Sequence, residues 1–314
     1  MPYPSERASR LGHVPVVNSQ AVHEAFSRWE VAQASPADTS RVTSLCRPVE
    51  HLENAGVADA VRFAITVDGS DTEVEVTREH PTVKVGYVRV AASFIDFNKL
   101  HRAGAGHFVD PHLLRESHQH AAFDRALPGS GLVLAGSTGV DTWRQELDRF
   151  LHETKFDQAS DQTLADMLLA LHGSPSAPAS TAPLRRCPSC GAKDAQLSGG
   201  QIDIPKGGTT CPKCGRTVYL ADVLRTEEEY MPEGSNRSSL TRMMLVAERL
   251  ISLGYMQLLF EDPHSYDVLG KTLFITDGPL SLNGTVAPLK RRFQDYLAEF
   301  TRLCTANNSG SSQK

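Results

Sequence analysis

Four of the six cysteines fall into two C-x-x-C pairs, Cys187-Pro-Ser-Cys190 and Cys211-Pro-Lys-Cys214. No other feature of the chain restricts local structure as tightly. Each C-x-x-C turn presents two thiolates to one point, and two such turns make the tetrahedron of soft ligands that Zn2+ takes in structural sites. The proline after the first cysteine of each pair and the glycine after the second, Gly191 and Gly215, suit a tight knuckle turn. The expectation is therefore a structural zinc ribbon over residues 184–222, with Cys187, Cys190, Cys211 and Cys214 as ligands. A closed four-cysteine site leaves no coordination position for a substrate, so the ribbon is not expected to be catalytic. A redox pair, the competing reading, usually needs only one C-x-x-C. Cys46 and Cys304 read as small apolar residues.

The ribbon interrupts an α/β pattern. Residues 1–60 read as a helical N-terminal segment, with helical periodicity in AVHEAFSRWEVAQ. Residues 61–173 read as the first part of the main domain. Within it FAITV, TEVEVT and VKVGYVRVAASFI alternate like three neighbouring antiparallel strands. Residues 110–127 read as helix, which would put His118 and His120 on opposite sides of it. LVLAG at 132–136 reads as a strand, DTWRQELDRFL as a helix capped by Asp141, and DQTLADMLLALHG as a helix ending on Gly173. SPSAPASTAP at 174–183 has the composition of a flexible linker. After the ribbon, residues 223–304 complete the main domain with a helix at 239–254, a strand at 271–276 and a final helix at 288–304; 305–314 reads as a disordered tail. LAGSTGVD at 134–141 matches neither common phosphate-loop pattern, so an ordinary turn is the better reading.

Net charge is −5 over 314 residues, which excludes a uniformly basic nucleic-acid coat. Any nucleic-acid binding must use a local patch, metal ions or a partner. No run of about 18 apolar residues suggests a membrane span. No apolar stretch follows the charges of MPYPSERASRLGHVP, so a secretory signal is not expected and the cytoplasm is the default location.

Two apolar runs end on Asp-Gly: FAITVDGS at 63–70 and LFITDGPL at 273–280. The first, lying between alternating strands, is also an ordinary hairpin signal. The second is not followed by a strand pattern, and its apolar run suggests an interior strand with Asp277 at its mouth. In LTRMMLVAERLISLG a wheel places Leu240, Met243, Met244, Ala247, Leu250 and Ile251 on the core face, with Glu248 at its border and Arg249 and Arg242 turned away. Asp68, Glu248 and Asp277 together would suit Mg2+ or Mn2+, hard cations that prefer oxygen ligands. Two such ions about 3.5–4 Å apart would suit phosphodiester cleavage. Lys290, Arg291 and Arg292 follow the Asp277 loop and are candidates to grip DNA phosphates; a solvated helix face is equally compatible.

On VDGS (67–70), VKVGYVRVA (83–91), AERL (247–250) and ITDGPL (275–280) the chain resembles the NurA nuclease family. The resemblance covers roughly 61–97 and 238–300. It implies a ribonuclease H-like mixed sheet flanked by helices, here with the four-cysteine zinc ribbon inserted. It also implies catalytic Mn2+ or Mg2+ held by Asp68, Glu248 and Asp277. It further implies a homodimeric DNA nuclease working with a HerA-like hexameric ATPase, in DNA repair or antiviral defence. The family usually continues with a further strand bearing a Lys-Ser-Gly-like segment, whereas this chain ends TANNSGSSQK. Either NSG at 308–310 is a remnant of that motif, or a second copy or another subunit would complete the cleft. The alternative is a catalytically impaired DNA-binding or assembly subunit on the same scaffold.

Overall fold

The computed structural model describes residues 61–103, 111–156, 161–192, 200–262, 265–278 and 282–311, with residues 20, 27, 40, 43, 44 and 46 before them. Contacts divide the chain into two units, Met1–Ala58 and Asp59–Lys314. The expected N-terminal helical segment lies outside the described residues apart from those few positions. In the second unit the strands are β1 Phe63–Thr77, β2 His80–Asp96, β3 His118–Pro128, β4 Thr181–Leu184, β5 Ile202–Pro205, β6 Thr209–Thr210, β7 Thr217–Val218 and β8 Thr272–Thr276. The α-helices are α1 Phe97–Ala103, α2 Pro111–Glu116, α3 Gly139–Glu153, α4 Leu164–Ala170, α5 Arg237–Glu261, α6 Tyr266–Leu269 and α7 Leu289–Ser311.

The main sheet is mixed, in the order β3-β2-β1-β8, with β8 parallel to β1 and the other pairs antiparallel. Residues 61–97 form two long strands where three were expected. β1 runs straight through Asp68-Gly69, which pair with Ala91 and Val90. The chain reverses only at Arg78-Glu79, in an all-polar stretch. The expected helix at 110–127 is also corrected: α2 stops at Glu116, and β3 follows because Ala121, Phe123, Arg125 and Leu127 meet the apolar side chains of β2. His118 and His120 consequently share one face of a strand. LVLAG contains no strand, and the cap of α3 is Thr138, whose hydroxyl accepts the N–H of Asp141.

One face of the sheet holds the core. Pairing register puts Ile65, Val67, Gly69, Ala92, Val90, Val88 and Gly86 on that face, under α5. Gly86 leaves room for Leu240, whose methyl carbons would lie 2.6–2.7 Å from any Cβ there. Trp143, Leu147, Phe150 and Leu151 of α3, with Leu164 and Leu168 of α4, extend the core and are at most 1% exposed. Each contributes about 1.5–3 kcal/mol of burial free energy. α5 is long and apolar enough by length and composition to cross a membrane, but its apolar stretch is mostly buried in the protein. It is the central packing element of this unit.

The cysteine module is fastened to α3 through Arg144. Arg144 of α3 is 3% exposed and binds Asp222 twice, Nε to Oδ1 at 2.8 Å and Nη2 to Oδ2 at 2.7 Å. The same guanidinium donates to Ser189 inside the first knuckle and to the carbonyl of Thr217 after the second. Losing one partner of a pair this deeply buried costs about 3–5 kcal/mol. The expected flexible linker at 174–183 is packed: Ala182 in β4 is fully buried, and Gln257 of α5 donates to the carbonyl of Pro175. α7 continues to Ser311, beyond the helix end expected at 304.

His172, after α4, carries a desolvation cost. Neither ring nitrogen is hydrogen-bonded, and burial, with Arg292 adding to it, pushes the imidazole down to about 4. An unfolded histidine takes a proton near 6.5. The neutral ring thus leaves stability intact above about pH 6.5, and stability falls as pH drops from there to about 4. Melting temperature should fall between pH 7.5 and pH 5, and fall less in His172→Leu; identical pH profiles for the two proteins would contradict this.

Candidate metal centres

The two C-x-x-C loops are built alike. In each, the N–H of the glycine after the second cysteine donates to the carbonyl of the first, from Gly191 to Cys187 and from Gly215 to Cys211, both at 2.9 Å. These glycines have φ of 69° and 71°, left-handed values that side-chain-bearing residues rarely adopt, which is why a glycine stands in each loop. The loops face each other so that Sγ of Cys187 lies 3.9 Å from that of Cys214, and Sγ of Cys190 lies 3.9 Å from that of Cys211. All four sulfurs lie within 4.8 Å of one another, close enough to hold one metal ion. Burial pushes the Cys187 thiol up, whereas at Cys211 the N–H groups of Cys214 and Lys213 outweigh burial and hold the thiol down. Four thiols with inward-facing amides fit a soft tetrahedral cation.

The carboxylate site starts from Gly69, whose φ is not left-handed and which turns nothing. A Cβ at this position would stand 2.7 Å from Oε1 of Glu248 and 2.7 Å from Cγ of Met244. The glycine lets α5 approach β1, and that approach seats Glu248 against the strand, where its carboxylate accepts the N–H of Gly69. Glu248 is 2% exposed, and its Oε2 has no hydrogen-bond partner. Burial pushes its carboxyl up to about 7, with the charges of Asp68 and Asp277 adding to the rise and Arg249 and the Gly69 N–H opposing it. Asp277 leaves β8 on a turn backed by Gly278 at φ 87°, and its N–H reaches the carbonyl of Val67 at 3.4 Å. The three acids are thus electrostatic neighbours.

They do not form a closed ligand set. Among the described residues, only the cysteine cluster brings three or more such ligand atoms within 4.8 Å. Strand alternation turns the exposed Asp68 away from the face that Gly69 gives to α5. Nor does β8 lie inside the described sheet: it pairs with β1 on one side, and Leu273 and Ile275 are 47% and 44% exposed. The donor set, all carboxylate with one orphaned buried oxygen, nonetheless suits a hard cation. Gly69→Ala should lower stability by about 1–3 kcal/mol through overpacking, measured by chemical denaturation. A variant as stable as the wild type would show that α5 is not seated by this glycine.

Of the three candidate phosphate-gripping residues, the structure brings only Lys290 to the cleft of about 240 Å3 beside Asp277. Arg291 is exposed, 3.8 Å from Asp295, and Arg292 is half-buried near His172. Arg249 was expected to turn away from Glu248. Instead Nη1 donates to the carbonyl of Leu245 and lies 4.0 Å from Oε2 of Glu248, and the side chain lines the Asp277 cleft. Arg242 does turn away, to Glu229.

No protein-family model matches this chain, and neither does any curated protein or solved structure. The likeness to NurA nucleases therefore rests on the quoted motifs.

Proposed function

We propose that the protein is a metal-dependent DNA nuclease hydrolysing phosphodiester bonds. The observation that carries this reading is Glu248: a buried carboxylate with one oxygen that accepts no hydrogen bond, within electrostatic reach of Asp68 and Asp277. Uncompensated carboxylates repel a phosphodiester, so hydrolysis here requires a cation between them. Glu248 and Asp277 would hold Mn2+ or Mg2+, and Asp68, whose side chain leaves the other face of β1, would add negative charge to the site. The ion would supply water activation and charge neutralisation at the leaving oxygen. Lys290 and Arg249 border the cleft beside Asp277 and would hold the scissile strand by its phosphates. The sheet order, with β8 parallel to β1 at the end of an antiparallel meander, supports a ribonuclease H-like reading. The cysteine cluster would hold Zn2+ as a structural ion.

With a net charge of −5 the chain has weak long-range attraction for DNA. A HerA-like hexameric ATPase feeding DNA to a dimer of this chain would remove that handicap. The open arrangement of the three acids favours a second reading, a DNA-binding or assembly subunit without catalysis. Purified protein incubated with linear DNA and Mn2+, with and without such an ATPase, separates the two. Cleavage that EDTA stops supports the nuclease; DNA binding without cleavage under every condition supports the subunit.

A further inference from the structure

The chain's charge is unevenly placed. Residues 184–222 hold six basic and three acidic residues, a net +3, which leaves −8 for the rest of a chain whose total is −5. Asp222, one of those three acids, is buried on Arg144 and offers nothing to solvent. A metal with four thiolates would carry about −2 if divalent, which still leaves the module at about +1. Four of the six cations stand at the two knuckles, and Lys206 is paired with Asp166. Arg185 and Arg186 enter the first knuckle, Lys213 lies inside the second and Arg216 leaves it, and all four are exposed. The 3.9 Å approach of Cys187 to Cys214 joins the loops at the residues next to Arg186 and Lys213. Arg186 lies over its own knuckle, with Nη2 3.9 Å from where a Cβ of Gly191 would be. Arg185, Arg186 and Arg216 make no ion pair among the described residues. The thiols, meanwhile, take N–H donors from their own loops, among them those of Ser189, Cys190, Lys213 and Cys214. The thiols thus have hydrogen-bond donors that do not come from the arginines.

We infer that this knuckle face is a phosphate-binding surface that holds the DNA backbone on an otherwise acidic protein. The inference rests on the nuclease reading for the identity of the polyanion, but its site is separate from the acids. Arginine suits the role because its planar fork grips phosphate oxygens in pairs and stays charged at any working pH. Contacts confined to the backbone position DNA without reading its sequence.

The test is fluorescence anisotropy of labelled linear DNA with full-length protein in Ca2+, across a salt series. The double variant Arg185→Glu/Arg186→Glu should weaken binding by at least about tenfold. It should also flatten the dependence of log affinity on log salt by about two, since each lost phosphate contact removes about 0.9. Metal content per chain should stay at the wild-type value. The milder Arg216→Ala should flatten the slope by about one with the cluster intact. Wild-type affinity and slope in both variants would overturn the inference. So would loss of the cluster metal in both, which would make the arginines its counter-charges, or displacement of DNA by polyglutamate as readily as by unlabelled DNA. Binding is read here without cleavage: an inactive protein that binds through this face ends the nuclease reading alone, and an active one that ignores these substitutions ends this inference alone.

Discussion

Asp68→Asn and Asp277→Asn should each lower the proposed Mn2+-dependent cleavage of linear DNA by about 10²–10³-fold while leaving the fold intact. The loss is of the size seen when one pre-placed electrostatic group is taken from a reaction centre. Asn matches Asp in volume, and both positions are exposed, so no packing is disturbed. On the proposed mechanism the cation would be held by negative oxygen, and an amide oxygen offers about the same reach without the charge. Circular dichroism and melting temperature should match the wild type. Wild-type rates in both variants would end the assignment of these acids.

The second large effect is at the cysteines. Cys187→Ser or Cys214→Ser should release one metal ion per chain, zinc by elemental analysis, and unfold the module. Structural zinc supplies an apparent binding free energy of about 10–16 kcal/mol in small zinc-dependent folds, more than their packing provides. Here the module is not autonomous: Arg144 ties it to α3 and β4 pairs with β5, so residual structure should persist near Ala182 and Ile204, both fully buried. Limited proteolysis should open new cuts around 185–216 and leave α5 protected. Wild-type protein without zinc would contradict the assignment; a Cys variant that keeps its metal would contradict the ligand set.

What the sequence made legible followed the range of the forces involved. The knuckles were readable because their chemistry is local: spacing sets the sulfurs, and glycine permits φ near 70°. The Asp277 turn was readable for the same reason, with Gly278 in a left-handed conformation. At Asp68 the same Asp-Gly pair also signals a hairpin, but Gly69 is there for a contact with Met244 and Glu248, about 180 residues away in sequence. No local pattern distinguishes a glycine that turns from one that admits a helix. β3 read as helix because SHQHAAFDRAL mixes alanines with polar residues. Pairing with β2 overrode that preference, as tertiary context routinely does for short segments. Arg249 was misplaced because a helical wheel fixes Cα directions only. A long side chain can run back along its own helix to the carbonyl four residues earlier, and this one does.

The acid cluster as a cation site is the claim on which the functional account stands, and Mn2+ titration followed by electron paramagnetic resonance addresses it without requiring cleavage. Zinc-loaded wild type should take up Mn2+ with its free-ion signal suppressed until the site fills. Glu248→Gln, which keeps the side-chain volume of a residue 2% exposed, should lose that uptake while keeping its zinc. Equal Mn2+ uptake by wild type and Glu248→Gln would contradict the account, and so would a wild type that takes up none.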